Sequence, residues 1–231
     1  MGHLHILSSD PEAHKKFWVD FLGGTVTKYG PMEMYQFPGV VVAVRKGAPT
    51  GGSNGSAVNH LGFKVRDLEG YLGRARTMGV PIVREMPETR QAFVLAPDEV
   101  RVELTEDKSQ TAVVEHHHIH FFNTAVDETK AWYAKTFGAI PGKRGRFEAA
   151  DLPGVNLSFS KAETATAPTK GRAVDHIGFE VKNLEAFVKM LEGEGVKMDI
   201  PYRRVESLGL SVAFFTDPWG TYIELTEGLR K

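Results

Sequence analysis

His176-Ile177-Gly178-Phe179-Glu180-Val181 restates, with few changes, an earlier stretch of the same chain, His60-Leu61-Gly62-Phe63-Lys64-Val65. Each stretch is followed by a second matching one: Val102-Glu103-Leu104-Thr105-Glu106 in the first half and Ile223-Glu224-Leu225-Thr226-Glu227 in the second. A histidine upstream completes each set, His3 in His3-Leu4-His5-Ile6 and His118 in His118-Ile119-His120-Phe121. The chain is therefore an internal duplication, and its 231 residues divide into domains at 1–108 and 114–231, joined by the polar stretch Asp107 to Thr111.

Each half divides again into two units that open with a short alternating strand and pass into an amphipathic helix. Asp10 suits the N-cap of the first helix and Pro11 its first turn, with Phe17, Trp18, Phe21 and Leu22 as the apolar stripe and Gly23-Gly24 as the stop. Trp132, Tyr133 and Phe137 before Gly138 repeat this in the third unit. Asp67 to Gly79 and Asn183 to Gly195 are the helices of the second and fourth. Short strands and turns follow each helix, Phe37-Pro38-Gly39-Val40 and Leu152-Pro153-Gly154-Val155 being one turn written twice. Residues 47–57 and 163–171 link the units within each half. The pattern is βαβββ four times over, an α+β fold in which one sheet face takes the helix and units join in pairs.

Strand parity sorts the histidines and glutamates, because alternate residues face opposite sides. Ile177, Phe179 and Val181 claim the helix side, so His176, Gly178 and Glu180 point away from it. Ile223 and Leu225 leave Tyr222, Glu224 and Thr226 on the open face, and Ile119 and Phe121 leave His116, His118 and His120 there. Glu106, Glu227 and His117 are out of phase with these sets. A lone strand histidine is commonly a hydrogen-bonded polar residue, but a matched set with correct parity in both halves indicates a metal site. Two imidazoles and a carboxylate suit Fe2+, Mn2+, Zn2+ and similar ions.

Composition narrows the rest. The chain is 42% hydrophobic and 25% charged with a net charge of −1, which gives no field for gathering nucleic acid or an anionic membrane. The longest apolar run, Val40 to Val44, is too short to span a bilayer. With no cysteine, thiolate metal sites, thiol nucleophiles and disulfides are excluded. The expected partner is a small molecule, with a homodimer as the candidate assembly. Cytoplasm is the default compartment, and a trimmed leader stays open.

These motifs, above all His176-Ile177-Gly178-Phe179 and Asp217-Pro218-Trp219-Gly220-Thr221-Tyr222-Ile223-Glu224-Leu225, resemble the vicinal oxygen chelate superfamily. It includes glyoxalase I, bleomycin and fosfomycin resistance proteins and type I extradiol dioxygenases. The resemblance spans the chain and implies four βαβββ modules paired into two domains, each a cupped half-barrel sheet with helices outside. Four units in one chain resemble the extradiol dioxygenases. That likeness implies metal ligands at His118, His176 and Glu224, with Fe2+ or Mn2+ as the ion and Zn2+ or Ni2+ as alternatives, and ring cleavage of a catechol-like substrate.

His3, His60 and Glu103 would form a second site. Two departures stand out: the family's active-site Tyr is Phe214 here, and residues 158–174 carry no histidine for its acid/base role. Proton handling then falls to His120 or Tyr222, and substrate contacts to Tyr202, Arg203 and Phe214. Lys143-Arg144-Gly145-Arg146 reads as an exposed basic turn. Glyoxalase I normally adds a Glu ligand from stretches that here, Val40 to Val44 and Val155 to Phe159, hold no carboxylate. A glyoxalase-like lyase or isomerase and a non-catalytic binding protein of the bleomycin-resistance type are the alternatives.

Overall fold

A computed structural model describes residues 2–229. Four βαβββ units are present in chain order. The first holds β1 (His3–Ser8), α1 (Pro11–Lys15, continuing as a π-helix over Lys16–Phe21), β2 (Thr25–Tyr29), β3 (Met32–Phe37) and β4 (Val40–Lys46). The second holds β5 (Val58–Val65), α2 (Leu68–Met78), β6 (Ile82–Met86), β7 (Gln91–Ala96) and β8 (Val100–Glu106). The third holds β9 (Val114–Asn123), α3 (Val126–Phe137), β10 (Ile140–Arg144), β11 (Phe147–Leu152) and β12 (Val155–Lys161). The fourth holds β13 (Val174–Glu180), α4 (Leu184–Gly193), β14 (Met198–Val205), β15 (Leu210–Thr216) and β16 (Tyr222–Glu227). No helix among the described residues is long and apolar enough to cross a membrane.

The helix signals act as expected. Asp10, Asp67 and Asn183 each accept a backbone N–H three residues on, and Gly79 and Gly138 end their helices in the left-handed conformation. The out-of-phase glutamates turn to the helix side and meet helix N-termini. Glu106 accepts from Leu68 N, and Glu227 from Asn183 N and Leu184 N, where a carboxylate is favoured by the unpaired N–H groups.

Strand pairing does not follow chain order. Two eight-stranded sheets form, one in the order β14-β15-β16-β13-β1-β4-β3-β2 and the other β10-β11-β12-β9-β5-β8-β7-β6. Unit one thus shares a sheet with unit four, and unit two with unit three, which corrects the expectation that consecutive units join their sheets. The reason lies in the apolar faces. Consecutive units pack helix side to helix side: Trp18 lies against Phe37 and Phe63, and Phe21 against Tyr71 in the first half. Phe137 lies against Phe179 and Phe187 in the second. Once those faces are buried together, the two units of a half belong to different layers. Their opening strands are left to pair across halves, β1 with β13 and β5 with β9, both antiparallel.

The Asp217-Pro218-Trp219-Gly220 text is a turn that ties unit four to unit three. Asp217 Oδ1 accepts from Trp219 N (2.9 Å) and Thr221 N (2.8 Å), and Oδ2 accepts from the Tyr133 hydroxyl on α3 (2.8 Å). Asp217→Ala leaves three donors unpaired, two of them buried, and is expected to cost about 3 kcal/mol in urea unfolding. Tyr133→Phe should cost about 1 kcal/mol. Equal small losses from both would show that the turn does not depend on the carboxylate.

Candidate metal centre

The sheet of units one and four places four donors together through its register. His3 faces Gly178 across the β1–β13 pairing, and Gly178 faces Glu224 across the parallel β13–β16 pairing. Side chains two strands apart sit about 9–10 Å apart at their backbones and ordinarily do not meet. With only a hydrogen at Gly178 between them, His3 and Glu224 lean over the gap. His3 Nε2 comes within 2.9 Å of Glu224 Oε2. His176 Nε2 reaches the same oxygen at 3.0 Å, since residues 176 and 178 share a face. His5, opposite His176 in the register, completes the set. The donor atoms of His3, His5, His176 and Glu224 all lie within 4.8 Å of one another.

Electrostatics keep the carboxylate of this cluster ionised. Burial alone would raise the Glu224 carboxyl, but His3 and His176 hold it below the usual carboxylate range. His176 donates from Nδ1 to Asp175 Oδ1 (2.6 Å), which orients the ring with Nε2 toward Glu224. Burial opposes charge on His176, yet Asp175 and Glu224 together raise its pKa. Such a carboxylate behind a histidine strengthens it as a ligand. His5 goes the other way: burial, then the neighbouring His176 and His3, push it well below the ordinary value.

The cluster floors a cavity of about 240 Å³ whose walls include Met32, Met34, Ala43, Val212, Phe214 and Arg203.

The sheet of units two and three repeats the arrangement. His118 faces Gly62, which faces Glu103. His60, Glu103, His118 and His120 again have donor atoms within 4.8 Å of one another, and all four are buried. His60 Nε2 lies 3.1 Å from Glu103 Oε2. Here, however, polar groups fill the space. Arg144 Nη2 lies 3.1 Å from His118 Nε2, and Nη1 lies 3.5 Å from Glu103 Oε1. Gln91 and Thr105 donate to Glu103 Oε1 at 2.9 Å each. Burial would raise Glu103, but His60, Arg144 and Thr105 bring it down to about 2.

The six expected ligands are thus all on open sheet faces, but the structure groups them differently. His118 does not join His176 and Glu224; it joins His60 and Glu103, and His3 joins His176 and Glu224. The cross-half pairing of β1 with β13 and of β5 with β9 is the cause. His120 lies in the second cluster, its Nε2 2.8 Å from Ser160 Oγ. Tyr222 packs its ring against His176 and Phe214 and under Lys170 Nζ, its hydroxyl raised to about 12 by burial and then by Asp199, Asp175 and Glu224. Arg203 and Phe214 line the cavity. Tyr202 turns to the opposite side of β14 and packs on the hydrophobic core.

Sequence reasoning missed three residues. His5 follows His3 at strand period and was open to the parity rule. Asp175 carries no motif of its own. Arg144, read as exposed, has a side chain only 16% accessible.

The family model for the glyoxalase/bleomycin resistance protein/dioxygenase superfamily matches residues 1–104 and 115–225. Glyoxalase I from Zea mays superposes with a TM-score of 0.74 at 15% identity, covering 97% of this chain and 91% of that one. A presumed dioxygenase of Bacillus subtilis superposes with a TM-score of 0.72 at 14% identity, covering 97% and 84%. A search of curated proteins found no match.

Proposed function

Because the chain belongs to the glyoxalase/bleomycin resistance protein/dioxygenase superfamily, we propose that it is a metal-dependent enzyme acting on a small molecule that presents two neighbouring oxygens. The reaction we assign is ring cleavage of a catechol-like substrate by O2, both oxygen atoms ending in the product. The observation that carries this reading is the convergence of His3 Nε2 and His176 Nε2 on one oxygen of Glu224 at the floor of an apolar-walled cavity. Two imidazoles and one carboxylate are the ligand set of Fe(II) oxygenases. Ala43 lines the cavity on the strand where glyoxalase I normally supplies its additional glutamate, which weighs against the isomerase chemistry.

His3, His176 and Glu224 would hold Fe2+ or Mn2+. A divalent ion there lowers the pKa of bound hydroxyls and gathers substrate oxygens on one centre. The protein's own groups do the rest. Asp175 fixes the His176 ring. His5, kept neutral by burial, has a lone pair available to accept a substrate hydroxyl proton. Arg203 at the cavity wall offers a cation to an anionic substituent, and the walls of Met32, Met34, Val212 and Phe214 favour an aromatic body. These assignments replace His118 and His120, which belong to the other sheet, and leave Tyr222 as a wall beside His176.

One feature favours a second reading. A neutral imidazole next to the ligands is also what a proton-transferring lyase or isomerase requires, so His5 suits that chemistry too.

The test uses protein purified anaerobically and reconstituted with Fe(II). Oxygen uptake with catechols and a yellow ring-cleavage product is expected. Turnover of the hemithioacetal of methylglyoxal and a thiol without O2 would favour the second reading, and no turnover together with tight ligand binding would leave a binding protein. Glu224→Gln should lower bound metal at least about 100-fold while leaving the circular dichroism spectrum unchanged. Retention of metal by that variant would end the assignment.

A further inference from the structure

The two clusters descend from one pattern, yet their surroundings differ at matched positions. Ser158 pairs with His120 where Ala43 pairs with His5. Gln91 pairs with Thr105 where Val212 pairs with Thr226. Arg144 pairs with Phe147 where Tyr29 pairs with Met32. The substitutions act together. Tyr29 sends its hydroxyl away to Leu208 O and Gly228 O, 3.0 Å each. Arg144 instead sends its guanidinium inward, where Nε donates to Ser158 Oγ at 2.8 Å.

We propose that Arg144 is a built-in cation occupying the metal position of the second cluster, so that this cluster takes no metal until that side chain is removed. His118 Nε2, the nitrogen aimed at the cluster, lies 3.1 Å from Arg144 Nη2, and His120 Nδ1 lies 3.5 Å from the same atom. Glu103 neutralises the guanidinium from 3.5 Å. Arginine stays charged at any working pH and donates in fixed directions. A divalent ion could reach these donors only by expelling a positive group already bonded to them, and two such charges a few ångströms apart repel strongly in a dry site. The second cluster is in this view a metal site in donor content and a structural polar cluster in practice. It does not depend on the function proposed for the first.

The test is Co(II) titration of chelator-stripped protein, with bound metal counted by elemental analysis after desalting and followed by visible absorption. Wild type should take up one equivalent. The His176→Ala/Glu224→Gln double variant, whose second cluster is intact, should take up none. Arg144→Gln and Arg144→Met should each bind one equivalent more than wild type, and adding His118→Ala should return the count to the wild-type value. Wild type binding none while Arg144→Gln binds one would support the inference and sink the first site. The inference is overturned if the double variant still binds Co(II) through His118, or if the Arg144 variants fold and bind no more than wild type. Failure of both Arg144 variants to fold even with Co(II) would overturn it as well, since a metal would then be unable to take the guanidinium's place.

Discussion

Gly178→Ala should strip the protein of its metal while every ligand residue stays in the sequence. A Cβ at this position would lie 2.2 Å from the His3 ring, far inside contact distance. Backbone on both sides is held by the β1 and β16 pairings, so the His3 ring is the part that yields. Once it swings off Gly178 it no longer reaches Glu224, and the site falls to two strong ligands with His5 beside them. Metal affinity should drop at least about 100-fold, while the thermal midpoint changes by only a few degrees. Gly62→Ala is the control on the other sheet. Its Cβ would lie 1.9 Å from the fully buried His118 ring, so the cost appears as stability, about 1–3 kcal/mol, with the metal count unchanged. Competition titration with a chromophoric chelator and thermal melts separate the two. Wild-type affinity in Gly178→Ala would contradict the account of how the ligands converge.

The metal-free protein should unfold in acid, with a midpoint at about pH 4. His14 and His116 are the clearest causes outside the two clusters. His116 is brought down to about 3 by burial, with His117 adding repulsion. His14 is lowered by burial, partly offset by Asp98. Its Nδ1 accepts from Trp18 Nε1 at 3.1 Å, a bond that a protonated ring cannot make. The direction follows from linkage. The unfolded chain takes up these protons near pH 6.5 and the folded chain refuses them, so stability is flat above that value and falls below it until the folded pKa is reached. Each such histidine contributes a slope of about 1.4 kcal/mol per pH unit, and two of them rapidly erode a total of about 5–15 kcal/mol. Glu103 and Glu224 act in a lower window: the stability their pairing provides is present above the ordinary carboxylate value of 4.5 and is lost as pH falls through their depressed values. His176, whose pKa is raised, opposes the trend: its contribution is complete below 6.5 and fades as pH rises through its folded value. Circular dichroism against pH measures the result, and His116→Phe should move the midpoint to lower pH. A midpoint below about pH 3 would show that these rings do not control acid stability.

The four βαβββ units were legible because local rules suffice for them. Asp10, Asp67 and Asn183 cap helices wherever they occur, and the parity that sent Glu106 and Glu227 to the helix side needs only neighbouring residues. The candidate ligands were legible for the same reason. Their partners were not. Whether His118 meets Glu224 or Glu103 depends on which opening strands pair, and β1, β5, β9 and β13 all carry similar text. That choice is made by side chains on the other face, such as Trp18 against Phe63 and Phe137 against Phe179, which bury consecutive units against each other and send their strands to separate layers. Arg144 was misread because a basic turn on an edge strand ordinarily points to water. Nothing local announces that Ser158 and Glu103 wait on the inner side.

His3 and Glu224 meet across 221 residues of chain. With the ligand set proposed above, a growing polypeptide offers no complete grip on an ion until β16 has folded home beside β13, and capture of the ion would be a late check that the whole molecule has closed. The same clasp gives a nicked protein a distinctive fate. Cut between the halves, near residues 107–113, each fragment keeps half of both clusters, and added metal should draw the two pieces back together.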